Sequence, residues 1–335
     1  MSEWNMIGHG WAVRRLKREL DSGQLAQSHL FVGPPYVGKA ALAKALAREI
    51  LSLNAVDPLR AQRLVDQLKH PDLSWIGLGE GESSVHIVAI RTLIHTLTLA
   101  PVEGRYRVAV IDDAHLATDE SQNAILKTLE EPNPSTVLIL IAWNTDALLP
   151  TIVSRCQVLY LRPVSTQVLQ EGLVQRGVDP SQADLITRLA YGRPGWALRV
   201  VAEPELLERR TQRLVDLEAL LSANKTQRLR YSEALARSGS EMVQETLQQW
   251  LLYWLDVVRI ASSTTLHTMA TKDDARVPAL HNSDRTESIR EVAAKLTVCK
   301  AVDMLRTITD TYSFLQQNAR PQLVLDALLL KMPAL

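Results

Sequence analysis

Residues 28–46 constrain the fold of this chain more than any other stretch. They read as a buried strand, a loop bounded by two glycines, and a helix rich in alanine and leucine. Residues 33–40, Gly-Pro-Pro-Tyr-Val-Gly-Lys-Ala, fit the pattern G-x-x-x-x-G-K-[ST] at every position but the last. Such a loop brings backbone N–H groups to a phosphate, which the helix N-terminus and the lysine also attract. We therefore predict a phosphate-binding site at Gly33, Gly38 and Lys39.

Ala40 stands where the pattern requires a hydroxyl. A serine or threonine hydroxyl at this position is a ligand of Mg²⁺, which bridges and neutralises the terminal phosphates in phosphoryl transfer. We expect the fold of a phosphate-binding protein whose own ATP hydrolysis is weak or absent. The alternative is a strand–helix turn that binds nothing.

Composition limits the classes of function. A chain of 335 residues favours about two or three domains, and the balance of 37 basic against 37 acidic residues gives no overall positive field for nucleic acid. Cys156 and Cys299 are too few for a disulfide framework or a four-cysteine zinc site, so we expect no zinc. The eight histidines show no i, i+4 pairing, so the sequence predicts no other metal site. Neither a signal sequence nor an apolar run of membrane-spanning length is evident, which predicts a cytoplasmic protein without a membrane partner.

Strands and helices alternate in the first half of the chain. Apolar runs predict strands at residues 28–32, 73–78, 107–113, 136–143 and 157–161, with helical patterns between them. This alternation predicts a parallel sheet covered by helices on both faces. After residue 163 the pattern is helical, with a loop predicted at 263–285 and closing helices at 286–317 and 322–332.

Two acids, Asp112 and Asp113, end the third predicted strand. In a protein with this loop, one acid here binds Mg²⁺ through water and the next polarises the attacking water. The usual second acid is glutamate; aspartate places the carboxylate about 1.5 Å further away, and such a misplacement lowers rates by about a hundredfold. Taken alone, the two acids could simply cap the following turn. Asn144, after the next strand, would place a polar side chain near a γ-phosphate, although this signal is weak by itself.

Two arginines are further candidates. Arg155, in Ser-Arg-Cys, would stabilise transition-state charge if it were supplied to a neighbouring subunit's nucleotide, which is worth about 10³–10⁵ in rate. Its alternative is a surface salt bridge worth about 0–1 kcal/mol, and spacing alone favours that alternative. Arg199 lies on a predicted helix that could swing over the phosphates, although the glycines before it would also serve an ordinary turn between helices.

The chain resembles the clamp-loader ATPase family of the AAA+ class, and within it the delta-prime subunits of bacterial DNA polymerase III. The match is dense over residues 1–205; beyond them it rests on helical character and one closing motif. The run Asn-Ala-Ile-Leu-Lys-Thr-Leu-Glu-Glu-Pro followed by Ser-Arg-Cys is highly specific. The resemblance rests on residues 28–39, 70–72, 110–115, 123–132, 148–156, 192–199 and 318–330.

The resemblance implies three domains: a RecA-like nucleotide-binding domain at 1–162, a small helical lid at 163–205, and an all-α collar at 206–335 that joins five subunits in a ring. It implies gamma/tau and delta types of subunit as partners, and a ring that loads a sliding clamp on primer–template DNA. Arg155 inherits the role of an arginine finger that reaches the neighbouring ATP site. A nucleotide site in this chain, whether functional or vestigial, would comprise Gly33, Gly38, Lys39, Ala40, Asp112, Asp113, Asn144 and Arg199.

Departures from the family pattern bear on function. Active ATPase members carry threonine or serine at the position of Ala40 and glutamate at that of Asp113, and many bind zinc through four cysteines, of which residues 51–69 contain none. These departures favour a stator that donates Arg155 and hydrolyses little. ATP or ADP binding stays open, with Mg²⁺ only alongside a nucleotide. The alternatives are a working gamma/tau-like ATPase subunit, with water replacing the Ala40 hydroxyl, or another AAA+ adaptor such as a helicase loader or transposition regulator.

Overall fold

The fold is described from a computed structural model covering residues 4–53, 55–79, 84–267, 280–316 and 319–335. The chain divides into two compact units, one of Met1–Thr187 with Gly192–Leu198, the other of Arg188–Tyr191 with Arg199–Leu335. Over the described ranges, none of the helices combines the length and the apolar character needed to cross a membrane.

The first unit alternates strands with helices. In chain order its elements are α1 Gly10–Asp21, β1 Ser28–Val32, α2 Lys39–Ser52, α3 Pro58–Asp66, β2 Leu73–Ile76, α4 Ile87–Thr98, β3 Arg107–Ile111, α5 Asp119–Glu130, β4 Thr136–Ala142, α6 Pro150–Val153, β5 Gln157–Tyr160 and α7 Thr166–Val174. Two further helices, α8 Pro180–Ala190 and α9 Pro194–Ala202, contribute residues to both units.

The strands form one parallel sheet in the order β2-β3-β4-β1-β5. Strand β4 lies between β1 and β3, with Ser28 opposite Leu138 and Arg107 opposite Thr136. The carboxyl ends of parallel strands share one edge of the sheet, where ligands bind in open α/β folds. The predicted α/β domain with a parallel sheet is confirmed.

Alternate residues of each central strand pack on opposite faces of the sheet. In β3, Val108 and Val110 join a core with α1 and α2, whereas Ala109 and Ile111 join a core with α4 and α5. Strands β1, β3 and β4 are buried along their whole length. Burial on both faces is why these strands are continuous apolar runs.

The described residues of the second unit form helices joined by short connections. The largest side chains of its core are Trp250, Tyr253 and Trp254, each 0% exposed, as the apolar pattern of this segment predicts. Its helices are α10 Glu205–Ser222, α11 Lys225–Arg237, α12 Ser240–His267, α13 Thr286–Lys295, α14 Val298–Gln316 and α15 Pro321–Lys331.

Two predictions about this unit were wrong. The single helix predicted at 286–317 is interrupted, because Leu296 has extended backbone and packs against the helical core, while the Thr297 hydroxyl accepts a bond from the N–H of Lys300 and starts α14. The loop predicted at 263–285 is helical up to His267, and a 3₁₀ turn occupies Ser283–Arg285. Residues 268–279 of that prediction lie outside the described residues.

Candidate functional site

The glycine loop lies between β1 and α2, at the carboxyl edge of the sheet. A Cβ atom on Gly33 would lie 2.2 Å from the carbonyl oxygen of Leu161, so the loop admits only glycine there without a backbone shift. Gly38 immediately precedes α2 with φ of 111°, in the region that glycine alone adopts without strain. Both glycines of the motif are therefore required by the backbone of the turn.

The Lys39 side chain closes this loop from within. It is 7% exposed, and its Nζ donates hydrogen bonds to the carbonyl oxygens of Gly33 at 2.6 Å and Pro34 at 2.8 Å. Burial lowers the pKa of Lys39 to about 8, while the charges of Asp112 and Asp113 act in the opposite direction. The Lys39 ammonium is therefore mostly protonated at neutral pH, and two of its three N–H donors bond to its own loop.

The two predicted acids face the same lysine. Asp112 accepts a hydrogen bond at its Oδ1 from the N–H of Asp113 at 3.0 Å, and Asp113 has left-handed backbone with φ of 52°. Burial raises the pKa of both carboxyls, that of Asp113 to about 6, with the Asp112 charge adding to the rise. Asp112 thus caps the turn in part, whereas the Asp113 side chain makes no capping bond to the 3₁₀ turn that follows.

The residues around the loop suit a phosphate better than they suit a metal ion. Gly38 has no side chain to cap α2, so the first N–H groups of that helix remain available to an anion, next to Lys39. Ala40 is exposed in the first turn and offers a methyl group where Mg²⁺ needs an oxygen ligand. Over the described residues, no group of three or more histidine, cysteine, aspartate or glutamate side chains could hold a metal ion.

Tyr36 and Gly195 form a contact that the sequence motifs do not reveal. Tyr36, in the loop, has left-handed backbone with φ of 61°. Its carbonyl oxygen accepts a bond from the N–H of Gly195 at 2.8 Å, and a Cβ on Gly195 would lie 2.9 Å from that oxygen. The left-handed conformation of a large aromatic residue is a strained feature of this loop.

His115 and Trp143 form a second contact that sequence reasoning missed. The only signal in the sequence is that the two residues follow strands β3 and β4. Their ring centroids lie 4.9 Å apart. Both ring nitrogens of His115 are buried without a hydrogen-bond partner among the described residues, and burial lowers its pKa to about 4. His115 is therefore neutral at physiological pH and adds no charge beside Lys39.

Asn144 and Arg199 complete the set of predicted nucleotide-site residues. Asn144 is exposed just beyond β4, the strand between β1 and β3, so it lies at the predicted edge of the sheet. Arg199 belongs to the second compact unit, where it lies 4.0 Å from Glu203 in an ion pair one helical turn away. Its approach to a phosphate stays a prediction.

Arg155 lies in the turn after α6 and is held by two hydrogen bonds. Its Nη1 donates to the carbonyl oxygen of Thr151 at 3.0 Å, and its Nη2 donates to Oε1 of Glu130, the last residue of α5, at 2.8 Å. The Arg155 side chain remains 36% exposed. The guanidinium thus lies at the surface in a defined orientation.

Gln122 fixes the other end of α6 and was also missed from the sequence. It is 3% exposed; its Nε2 donates to the carbonyl oxygens of Ala117 and Ala147, and its Oε1 accepts from the N–H of Leu149. Leu149 immediately precedes α6. Helix α5 therefore holds both ends of the short segment that carries Arg155.

Comparison with known proteins shows similarity to subunits of DNA polymerase III. Residues 8–165 match the family model described as DNA polymerase III, delta subunit. The DNA polymerase III subunit delta' of Escherichia coli K12 is 32% identical over 203 residues, 58% of this chain and 60% of that protein. Subunit delta' of Bacillus subtilis is 28% identical over 184 residues, 53% of this chain and 54% of that protein. Subunit gamma of Buchnera aphidicola is 26% identical over 193 residues, 56% of this chain and 53% of that protein.

These matches span between about half and 60% of the length of the relatives. The residues that match the family model contain the sheet, the loop and Arg155. The family model covers every strand from β1 to β5. Over these residues the chain is similar to the family described as DNA polymerase III, delta subunit, and the chain is similar to delta' and gamma subunits of DNA polymerase III.

Proposed function

We propose that this chain is a delta'-type stator of a clamp loader, which donates Arg155 to the ATP site of a neighbouring subunit. Its partners would be gamma/tau and delta types of subunit in a ring of five, acting in the cytoplasm to load a sliding clamp on primer–template DNA. The observation that carries the proposal is the orientation of Arg155. Two hydrogen bonds hold its guanidinium at the surface, where an arginine finger must lie.

The chain's own loop supports a subunit with little ATPase activity. Lys39 already donates to two carbonyl oxygens of the loop, Ala40 lacks the metal-binding hydroxyl, and Asp113 is shorter than the usual glutamate. We therefore propose that ATP or ADP binds weakly here and that Mg²⁺ binds only with the nucleotide. Catalysis would then lie in the subunit that receives Arg155.

A working gamma/tau-like ATPase is the second candidate. It is favoured by the uncapped N-terminus of α2 beside Lys39 and by the two acids that face that lysine. ATP hydrolysis by the isolated chain separates the two candidates. Robust Mg²⁺-dependent turnover would favour the working ATPase and contradict the stator.

The test of the stator is ATP hydrolysis by a complex reconstituted with gamma/tau-type and delta-type subunits of the same organism. We expect Arg155→Ala to assemble normally and to slow hydrolysis by at least about tenfold, since a finger is worth about 10³–10⁵ at the one site that receives it. Arg91→Ala is the control, because Arg91 also pairs with a glutamate on the surface, Glu120 at 3.1 Å. An unchanged rate for Arg155→Ala would refute the assignment.

A further inference from the structure

We infer that Glu130 is a positioning residue for Arg155: its carboxylate holds the guanidinium so that the remaining N–H groups face a phosphate on a neighbouring subunit. This inference rests on the proposed function, in which Arg155 acts on a neighbour's nucleotide. Nothing in the sequence pairs these residues, which are 25 positions apart.

The geometry defines both the position and the plane of the guanidinium. Its Nη2 donates to Oε1 of Glu130 at 2.8 Å, and its Nη1 donates to the carbonyl oxygen of Thr151 at 3.0 Å. A guanidinium has five N–H donors in one plane, so these two bonds leave three for an external ligand. Arg155 can therefore bind a phosphate without leaving Glu130.

Glu130 also breaks the charge pattern of its own helix. Helix α5 has acids in its first turn, Asp119 and Glu120, and a lysine in its last turn, Lys127, as the helix dipole favours. Glu130 places an acid at the C-terminal end, where the dipole disfavours it. An exposed ion pair contributes little to stability, so stability does not explain an acid at this end of the helix. Residues that depart from a local rule in this way often occur at functional positions.

Glu130 lies on a helix that is itself hydrogen-bonded to the segment before α6. Helix α5 is anchored by Gln122, which bonds the segment before α6 through the N–H of Leu149 at 2.8 Å and the carbonyl oxygen of Ala147 at 3.1 Å. Gln122 and Glu130 thus hold the two ends of the α6 segment from one rigid helix. A residue that orients a catalytic group works best from such an element.

The experiment measures steady-state ATP hydrolysis by the reconstituted complex. We expect Glu130→Ala to lower kcat about three- to tenfold, less than Arg155→Ala does, with KM for ATP nearly unchanged, because a loosened arginine still reaches the phosphate but spends less time in the productive orientation. Glu130→Gln keeps an oxygen acceptor at the same distance and should recover at least half of the lost rate.

Two further variants separate orientation from charge. Glu130→Asp keeps the negative charge on a shorter side chain and should be as slow as Glu130→Ala. The matched control is Glu131→Ala, which removes the adjacent acid and should run at the wild-type rate. Should Glu130→Ala fail to assemble, Glu130→Asp decides the question, and a wild-type rate for it would overturn the inference.

A double variant tests whether Glu130 acts through Arg155. Arg155→Ala with Glu130→Ala should be no slower than Arg155→Ala alone, because a positioning residue has nothing left to position. If Arg155→Ala slows hydrolysis while Glu130→Ala matches Glu131→Ala, the inference fails and the proposed function stands. If Arg155→Ala changes nothing, the proposed function itself fails.

Discussion

The ammonium group of Lys39 lies 2.6 Å from the carbonyl oxygen of Gly33, at the opposite end of the loop that both residues define. A second bond, to the carbonyl oxygen of Pro34 at 2.8 Å, closes the loop further. In this arrangement, the residue that sequence motifs assign to a phosphate also stabilises the turn. Ligand binding and conformational stability are therefore both expected to depend on Lys39.

Lys39→Met should lower the free energy of unfolding by about 1–3 kcal/mol, because the substitution keeps the apolar stem and leaves two carbonyl oxygens without their donor. Chemical denaturation of the isolated chain measures the change. The control is Lys44→Met on the same helix, which should change stability by less than about 0.5 kcal/mol. Equal effects of the two variants would show that the loop does not depend on the Lys39 bonds.

Asp113 should make stability depend on pH. Burial and the charge of Asp112 raise its pKa to about 6, so the folded chain binds this proton more tightly than the unfolded chain does. Its ionisation therefore destabilises the fold increasingly as pH rises from about 4 to about 6, and by a constant amount above that range.

Asp113→Asn removes this ionisation and tolerates the same left-handed backbone. Because Asp113 is only half-buried, we expect the variant to be more stable than the parent by roughly 1–2 kcal/mol at pH 7.5 and nearly equal to it at pH 4. Thermal unfolding across this range measures the difference between the two proteins. A difference that is the same at every pH would contradict the assigned titration.

The sequence predicts the strands well because burial on both faces leaves a strong signal. The strands predicted at 107–113 and 136–143 correspond to Arg107–Ile111 and Thr136–Ala142 in the structure, so each prediction runs one or two residues too far. The order of strands is a different matter: β4 pairs with β1, more than a hundred residues away in the chain, and no local pattern specifies that partner. Similarly, the break at Leu296 depends on packing against the helical core, which periodicity does not report.

For the candidate site, as for the sheet, the sequence predicts the positions of the residues but not their partners. A spacing motif locates Gly33, Gly38 and Lys39, because each is required by the local backbone or by its place at the start of α2. The partners of these residues are not local. The bond from Gly195 to Tyr36 and the bond from Arg155 to Glu130 join segments that only the folded chain brings together.

Arg228 should be essential to the helical unit. It is 4% exposed, and its guanidinium donates to five carbonyl oxygens at the C-terminal ends of α10 and α15, those of Leu220, Leu221, Leu329, Met332 and Pro333. The carbonyl oxygens of Leu220, Leu221 and Leu329 each accept a backbone N–H bond as well, and the negative ends of both helices favour a cation.

Arg228→Met removes five buried hydrogen bonds to carbonyl oxygens and should destabilise the chain by about 2–4 kcal/mol. Arg230→Met, an exposed change two residues further along α11, should alter stability by less than about 0.5 kcal/mol. Denaturant unfolding followed by far-ultraviolet circular dichroism measures the change. Indistinguishable midpoints for the two variants would mean that water replaces the guanidinium without loss.

Ala40→Thr should strengthen the binding of Mg²⁺–nucleotide by about tenfold, which corresponds to about 1.4 kcal/mol from one added metal ligand. Ala40 is exposed in the first turn of α2, so a hydroxyl fits without displacing the core. Titration with ATP in Mg²⁺ and in EDTA measures the gain, and Ala40→Val controls for the added bulk. A gain that is equal with and without Mg²⁺ would contradict the role assigned to the hydroxyl. No gain at all would indicate that another residue closes the pocket, and Tyr36 is the candidate because its strained backbone shapes the same loop. The double variant Ala40→Thr with Tyr36→Gly would then test whether Tyr36 closes the pocket.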